Sequence, residues 1–233
     1  MSALAIATLI VCMLQAGSAK SAPLALVLAV DVSASVTADS YLLQRDGIAR
    51  AFSNPRLVQA ISAAPGGIEV LVLEWSDPDK IVVTVDWRRV DDAPSAAGFA
   101  VAVHASQRRS SGVTAIGPAL LAAAAAFDHL PEPAGRRVID ISGDGMANFG
   151  LPPAKARDRI AADGITINGL AILTDEPWLA EYYRTNVIAG PWAFVAVART
   201  FDDFASAILR KLMQEIVGAP LRSRSDTSSA QIQ

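Results

Sequence analysis

Two kinds of apolar pattern alternate along this chain. One is the short unbroken run. Leu24 to Val30 is apolar throughout and ends at Asp31, the pattern of a strand buried on both faces of a parallel sheet. The other is helical spacing: between Ala38 and Phe52, residues Tyr41, Leu42, Ile48, Ala49 and Phe52 fall on one side of a helix. Ile68 to Trp75 predicts a second strand and Lys80 to Trp87 a third, joined by the tight turn Ser76-Asp77-Pro78-Asp79. So short a connection makes the third strand antiparallel to the second and puts it at a sheet edge. Helices are predicted over Pro94–Gln107 and over the alanine-rich Pro118–Phe127. A strand over Arg137–Ile141, a helix over Ala154–Ala162, a strand over Ile165–Leu173 and a helix over Glu176–Val187 follow. A sixth strand, Trp192–Val197, leads to a closing helix, Phe201–Val217, stopped by Gly218. This alternation predicts an α/β fold: a doubly wound, mostly parallel six-stranded sheet with one antiparallel edge strand.

In such sheets ligands bind beyond the carboxyl ends of the parallel strands. Tracing the chain direction brings three polar segments to that edge: Asp31-Val32-Ser33-Ala34-Ser35, Ser111-Gly112-Val113-Thr114 and Ser142-Gly143-Asp144-Gly145. Their side chains Asp31, Ser33, Ser35, Thr114 and Asp144 offer only oxygen. Two carboxylates with three hydroxyls suit a hard divalent cation, Mg²⁺ first, with Mn²⁺ or Ca²⁺ as alternatives. Five side chains around a roughly octahedral ion leave at least one position for water or for an oxygen from a partner. Taken alone, Asp-x-Ser-x-Ser also fits a strand-to-helix cap; Thr114 and Asp144 at the same edge favour the metal.

These three segments, in this order, resemble the metal-ion-dependent adhesion site of von Willebrand factor type A domains, and the matching strand order runs from about Leu24 to Val217. A secreted bacterial subgroup of that family is the nearer likeness. The resemblance implies a Rossmann-like von Willebrand A fold. It implies that Ser33, Ser35 and Thr114 contact the metal directly or through water, as do Asp31 and Asp144. It also implies that the open position takes an acidic side chain from a protein partner, with no catalysis. The sequence departs from the family in one place: Gly143 separates Ser142 from Asp144, where the family often has Thr-Asp-Gly or Ser-Asp-Gly. Asp140, one pleat earlier, is the fallback ligand, though its place inside the strand marks it as structural.

An enzymatic alternative is a haloacid-dehalogenase-like phosphatase, which Asp31 and Gly143-Asp144-Gly145-Met146-Ala147-Asn148 partly resemble. That chemistry needs a second carboxylate two residues after the nucleophile, where Ser33 stands. It also needs a Lys shortly before the last motif, and none occurs between Lys80 and Lys155. A metal-free structural module is the other alternative. The two histidines, His104 and His129, fall on or just after helices, away from any candidate nucleophilic serine. Arg108-Arg109 reads as a solvated pair or as a steering charge for an acidic partner. Trp75 and Trp178 follow strands that end at the metal edge, so either is a candidate rim residue; Trp87 and Trp192 read as core.

Composition narrows the classes further. The 233 residues carry a net charge of -3 and a pI near 5.4, with no clustered basic face, which argues against nucleic acid. Leu4–Leu14 is apolar and is followed by Ala16-Gly17-Ser18-Ala19. This predicts a signal peptide over residues 1–19 cleaved after Ala19, hence a periplasmic or secreted protein with no membrane span after cleavage. An N-terminal strand or helix is the alternative, because the segment before the apolar run holds no Lys or Arg. Cys12, the only cysteine, lies in that segment, so the mature domain over residues 20–217 would hold no disulfide and no cysteine-zinc site. Residues 218–233 are polar and Ser-rich, and predict a disordered tail.

Overall fold

Leu24–Asp31 forms the first strand, β1, and all eight of its residues are buried. A computed structural model describes residues 22–217; the expected signal peptide with Cys12 and the expected tail lie outside the described residues. From β1 the chain runs through α1 (Ala38–Phe52), α2 (Pro55–Ala63), β2 (Ile68–Trp75), β3 (Val82–Val90), α3 (Ala93–His104) and α4 (Ile116–Ala126). It continues through β4 (Arg136–Gly143), α5 (Pro153–Ala162), β5 (Thr166–Ile172), α6 (Leu179–Asn186), β6 (Val195–Ala198) and α7 (Phe204–Val217). The six-stranded sheet has the order β3-β2-β1-β4-β5-β6. β3 is antiparallel to β2; the other pairs are parallel. This is the α/β architecture expected, including the antiparallel edge.

The alternation of side chains along β1 builds two cores. Leu24, Leu26, Leu28 and Val30 face α1, α2, α3 and α7, where Phe52, Leu57, Phe99, Phe204 and Leu212 fill the space. Ala25, Val27 and Ala29 face the other way, against Ile116 and Leu120 of α4, Ile160 of α5, and Leu179 and Tyr183 of α6. Small alanines on this second face let α4 approach closely. Trp75 is wholly buried there, which removes it as a rim residue.

One helix is additional and several element ends differ from expectation: α3 ends at His104, α6 starts at Leu179 and α7 at Phe204. α2 is additional: the Asn54 side chain accepts from Arg56 N at 3.0 Å and Pro55 occupies the first turn, a strong start signal for a short helix. β3 starts later and continues through Arg88, Arg89 and Val90, because charged side chains occupy its outward positions while Val85 and Val90 stay buried. β6 begins at Val195 rather than Trp192, since Trp192 sits in a left-handed turn (φ 57°) after Gly190 and Pro191.

A buried charge cluster ties α7 to β4. Lys211 Nζ donates to Glu215 Oε1 at 2.7 Å and forms an ion pair with Asp140 Oδ2 at 2.7 Å without hydrogen-bond alignment. Asn168 Nδ2 adds a 2.7 Å bond to Glu215 Oε1, and the Phe194 ring lies 5.2 Å from the ammonium. Burial pushes the Asp140 carboxyl up, against the pull of Lys211. Asp140 therefore serves the fold and does not reach the strand ends.

Candidate metal centre

β1 and β4 are neighbours, and the chain leaves them toward opposite faces, β1 to α1 and β4 to α5. Their carboxyl ends diverge to leave a crevice at the point where the strand order reverses. Asp31 lies there, wholly buried. Its Oδ1 accepts from Ser33 N at 2.7 Å, and its carbonyl accepts from Gln44 Nε2 at 3.0 Å. Its Oδ2 is buried without a hydrogen-bond partner. Ser35 Oγ donates to Asp144 Oδ1 at 2.7 Å, and the Ser33 and Ser35 hydroxyls are 3.2 Å apart. Asp31, Ser33, Ser35 and Asp144 thus meet in one constellation.

Thr114 is buried on the neighbouring loop. That loop joins the first through Ala34 N donating to Gly112 O at 2.8 Å. Asn148 grips Thr114 from the third segment: its Oδ1 accepts from Thr114 N at 2.9 Å, and its own N–H donates to Thr114 O at 3.0 Å. Asp77 accepts from Val113 N at 2.6 Å, and a side chain at Gly112 would overlap that carboxylate. Arg108 is not a free steering charge. Its guanidinium donates to the carbonyls of Val32 (2.8 Å), Ser33 (3.0 Å) and Ser110 (2.9 Å), clamping the Asp31 loop. His104 pairs with Asp46 at an exposed site on the flank of the fold, and His129 is exposed after α4.

The Gly143 departure has a geometric reason. A Cβ there would lie 2.8 Å from Asp31 Oδ2 and 2.7 Å from Tyr183 Oη. The glycine lets β4 pass beside the Asp31 carboxylate, and Asp144, one residue on, still reaches Ser35. Tyr183 sits beneath, fully buried with its hydroxyl unpartnered. Tyr183 and Gln44 are supporting residues that local sequence does not reveal, and Arg108 and Asn148, visible in the sequence in other roles, support the loops instead.

Burial pushes the Asp31 carboxyl up to about 7, against the Ser33 hydrogen bonds, and the Asp144 charge adds to the rise. Asp144 is also raised, by burial first and by the Asp175 charge, against its bond from Ser35. Two carboxylates are therefore held together with their charge poorly compensated by protein groups. Among the described residues no three His, Cys, Asp or Glu side chains cluster as a metal site; the set here is two carboxylates with hydroxyls. The orphaned Asp31 oxygen, the facing Asp144 and the hard-oxygen donor set fit a divalent cation.

This sheet, its strand order and its helices form an α/β fold like that of von Willebrand factor A domains. Proximal thread matrix protein 1 from the mussel byssus superposes with a TM-score of 0.62 at 16% identity, over 84% of this chain and 49% of that one. The pilus adhesin SpaC from Lactobacillus rhamnosus GG gives 0.62 at 15% identity, over 84% and 31%. The vWF domain of the type V pili tip protein Mfa5 from Porphyromonas gingivalis gives 0.59 at 11% identity, over 88% and 99%. The chain therefore spans about half the length of the mussel protein, about a third of SpaC and nearly all of the Mfa5 domain. Another structure of the mussel protein is described as having a zinc-occupied MIDAS motif. No curated protein matches the sequence. Residues 21–220 match the family described as "Protein of unknown function (DUF1194)", and the chain belongs to that family.

Proposed function

We propose that this protein is an exported, non-catalytic binding module. It holds a divalent ion, Mg²⁺ first with Mn²⁺ or Ca²⁺ as alternatives, at Asp31, Ser33, Ser35, Thr114 and Asp144. It uses the open coordination position to take an acidic side chain of a protein partner. One observation carries the reading: Asp31 Oδ2 is buried and unpartnered within a constellation that includes a second carboxylate. A cation bound there would neutralise both carboxylates and supply the Lewis-acid contact for a partner's oxygen. The chain's own residues set up the rest. Arg108 and Gln44 fix the first loop, Asn148 fixes the second, and Gly143 leaves room for the carboxylate. A metal-free structural role leaves the burial of Asp31 without compensation. A phosphatase role lacks an acid/base carboxylate, since Ser33 stands at that position.

The test is thermal melting in EDTA and in Mg²⁺. Free Mg²⁺ at ten times its dissociation constant should stabilise the fold by about 1.4 kcal/mol, a rise of roughly 3–6 °C for a domain this size. Asp144→Ala should remove most of the rise. Without metal, the folded-state pKa of Asp31 lies above its unfolded value. The folded form then binds the extra proton between pH 3.8 and about 7, and stability in EDTA falls as pH rises through that window. Mg²⁺ competes with that proton, so the Mg²⁺-induced rise should be larger at pH 8 than at pH 6. Equal melting temperatures in the two buffers would overturn the metal site.

Export rests on the apolar run Leu4–Leu14 and on Ala16-Gly17-Ser18-Ala19. Mass spectrometry of periplasmic or secreted material should find a chain beginning at Lys20, and an intact Met1 on a cytoplasmic pool would refute it. No helix among the described residues is long and apolar enough to cross a membrane.

A further inference from the structure

We propose that the partner segment carries its carboxylate flanked by apolar side chains, and that these dock on a rim built by Met146, Phe149 and Trp178 beside the candidate metal centre. The inference rests on the reading of that centre as a partner-binding site.

The three side chains are exposed by 38%, 56% and 58%. All sit on the two adjacent loops that leave the carboxyl ends of β4 and β5. Met146 lies two residues after Asp144. Phe149 follows Asn148, whose side chain and backbone both hold Thr114. Trp178 precedes α6, and Tyr182 of that helix accepts from Ala147 N at 3.2 Å while donating its own N–H to Trp178 O at 3.2 Å. The loop carrying Met146 and Phe149 is thereby stitched to the loop carrying Trp178. These are not side chains on a floppy tip. They are large apolar groups held outward on an anchored framework, the arrangement in which aromatic residues act as binding anchors.

Charge selects the partner's chemistry on this side. Asp175, exposed, and Glu176, half-buried, lie on the same loop after β5 as Trp178. An extended acidic partner would meet repulsion on the β4–β5 side even with an ion in place, because the ion attracts at a single point. A lone Asp or Glu with Leu, Phe or Trp within a residue or two satisfies both demands. Its carboxylate takes the open metal position, and its neighbours cover the rim.

The test uses a displayed peptide library with one fixed Asp and randomised flanking positions, sorted against the full chain in Mg²⁺. Enriched peptides should carry aliphatic or aromatic residues next to the Asp and should release in EDTA. The double variant Phe149→Ser/Trp178→Ser should keep the Mg²⁺-induced rise in melting temperature yet bind those peptides about tenfold or more weakly. Retained melting shift with peptide binding unchanged in the double variant overturns the rim, as does enrichment of polar or acidic flanks, or of none. Absence of any Mg²⁺ shift in the wild type, or EDTA-insensitive binding, instead overturns the metal reading beneath it. Rim-dependent dimerisation in sedimentation, or rim-dependent flotation with phosphatidylglycerol vesicles, would assign the surface to a second copy or to a lipid surface and overturn a peptide partner.

Discussion

Lys211→Met should lower the stability of the fold by about 3–5 kcal/mol at neutral pH, the cost of removing one partner from a buried ion cluster. In melting temperature that is a drop of roughly 6–20 °C. Methionine fills nearly the same volume, so the loss is electrostatic rather than a cavity. Lys211 is the ammonium that faces both Asp140 and Glu215, and its side chain is wholly buried. Without it, two carboxylates confront each other away from water, and neither has another cation within ion-pair distance among the described residues. The sign of the pH dependence follows. Burial and Glu215 already raise Asp140, and Lys211 alone pulls it back. The folded protein holds a proton there that the unfolded chain releases, so stability falls as pH rises above the ordinary carboxylate range. Removing Lys211 extends that fall to higher pH, and the penalty should shrink when the melts are repeated in acid. Adding Asp140→Leu and Glu215→Gln to Lys211→Met should recover most of the loss, because apolar replacement of a whole buried cluster is often neutral or stabilising. A single variant as stable as the wild type at pH 8 would show that the cluster is hydrated.

Gly143→Ala should damage both the fold and the metal response. The new methyl group meets Asp31 Oδ2 at 2.8 Å and Tyr183 Oη at 2.7 Å, and Tyr183 is a packed ring in the second core with no space to retreat. Overpacking of this kind costs about 1–3 kcal/mol. The overlap also displaces the Asp31 carboxylate, so the Mg²⁺-induced rise should vanish. Gly145→Ala is the control. It lies two residues along the same loop, and a Cβ there meets nothing within 4 Å. Melts and Mg²⁺ titrations of both variants decide: equal behaviour of the two would mean that Gly143 is not what makes room for the carboxylate.

Much of this architecture is legible in the amino-acid order, for identifiable reasons. β1 and β4 sit at the centre of the sheet, where both faces are covered, so the apolar run of β1 is unbroken and that of β4 is interrupted only by Asp140, and their ends are marked by Asp31 and by Gly143-Asp144. The edges are harder to read. β3 continues past Trp87 because Arg88 points to solvent while Arg89, on the other face, pairs with the buried Glu69 at 3.0 Å, and two charged residues in a row look like the start of a loop. α2 buries only Leu57 and Ile61, too little periodicity to stand out, although Asn54-Pro55 announces it. The candidate ligands Asp31, Ser33, Ser35, Thr114 and Asp144 stand out in the sequence because they lie in polar segments that the strand order brings to one edge. Gln44 and Tyr183 offer no local motif, since each is one polar group on a helix, and Arg108 reads as a steering charge until its bonds to the Val32 and Ser33 carbonyls are seen. Gly143 reads as a departure from a pattern; its purpose emerges only when the Asp31 carboxylate is seen beside it.

The hairpin formed by β2 and β3 also bears on how this protein behaves in a crowd of its own copies. β3 is a nine-residue strand with one side open to strand addition, the kind of exposed margin that templates sheet-to-sheet aggregation. Two irregularities in its register, between Val70 and Val72 and between Val72 and Leu73, twist that margin out of the flat geometry a second strand requires. Asp86 and Arg88 project from it as exposed charges, so an incoming copy would have to strip water from them. The open flank of the sheet is thereby kept from self-templating, and the opposite flank is kept short by the four residues of β6.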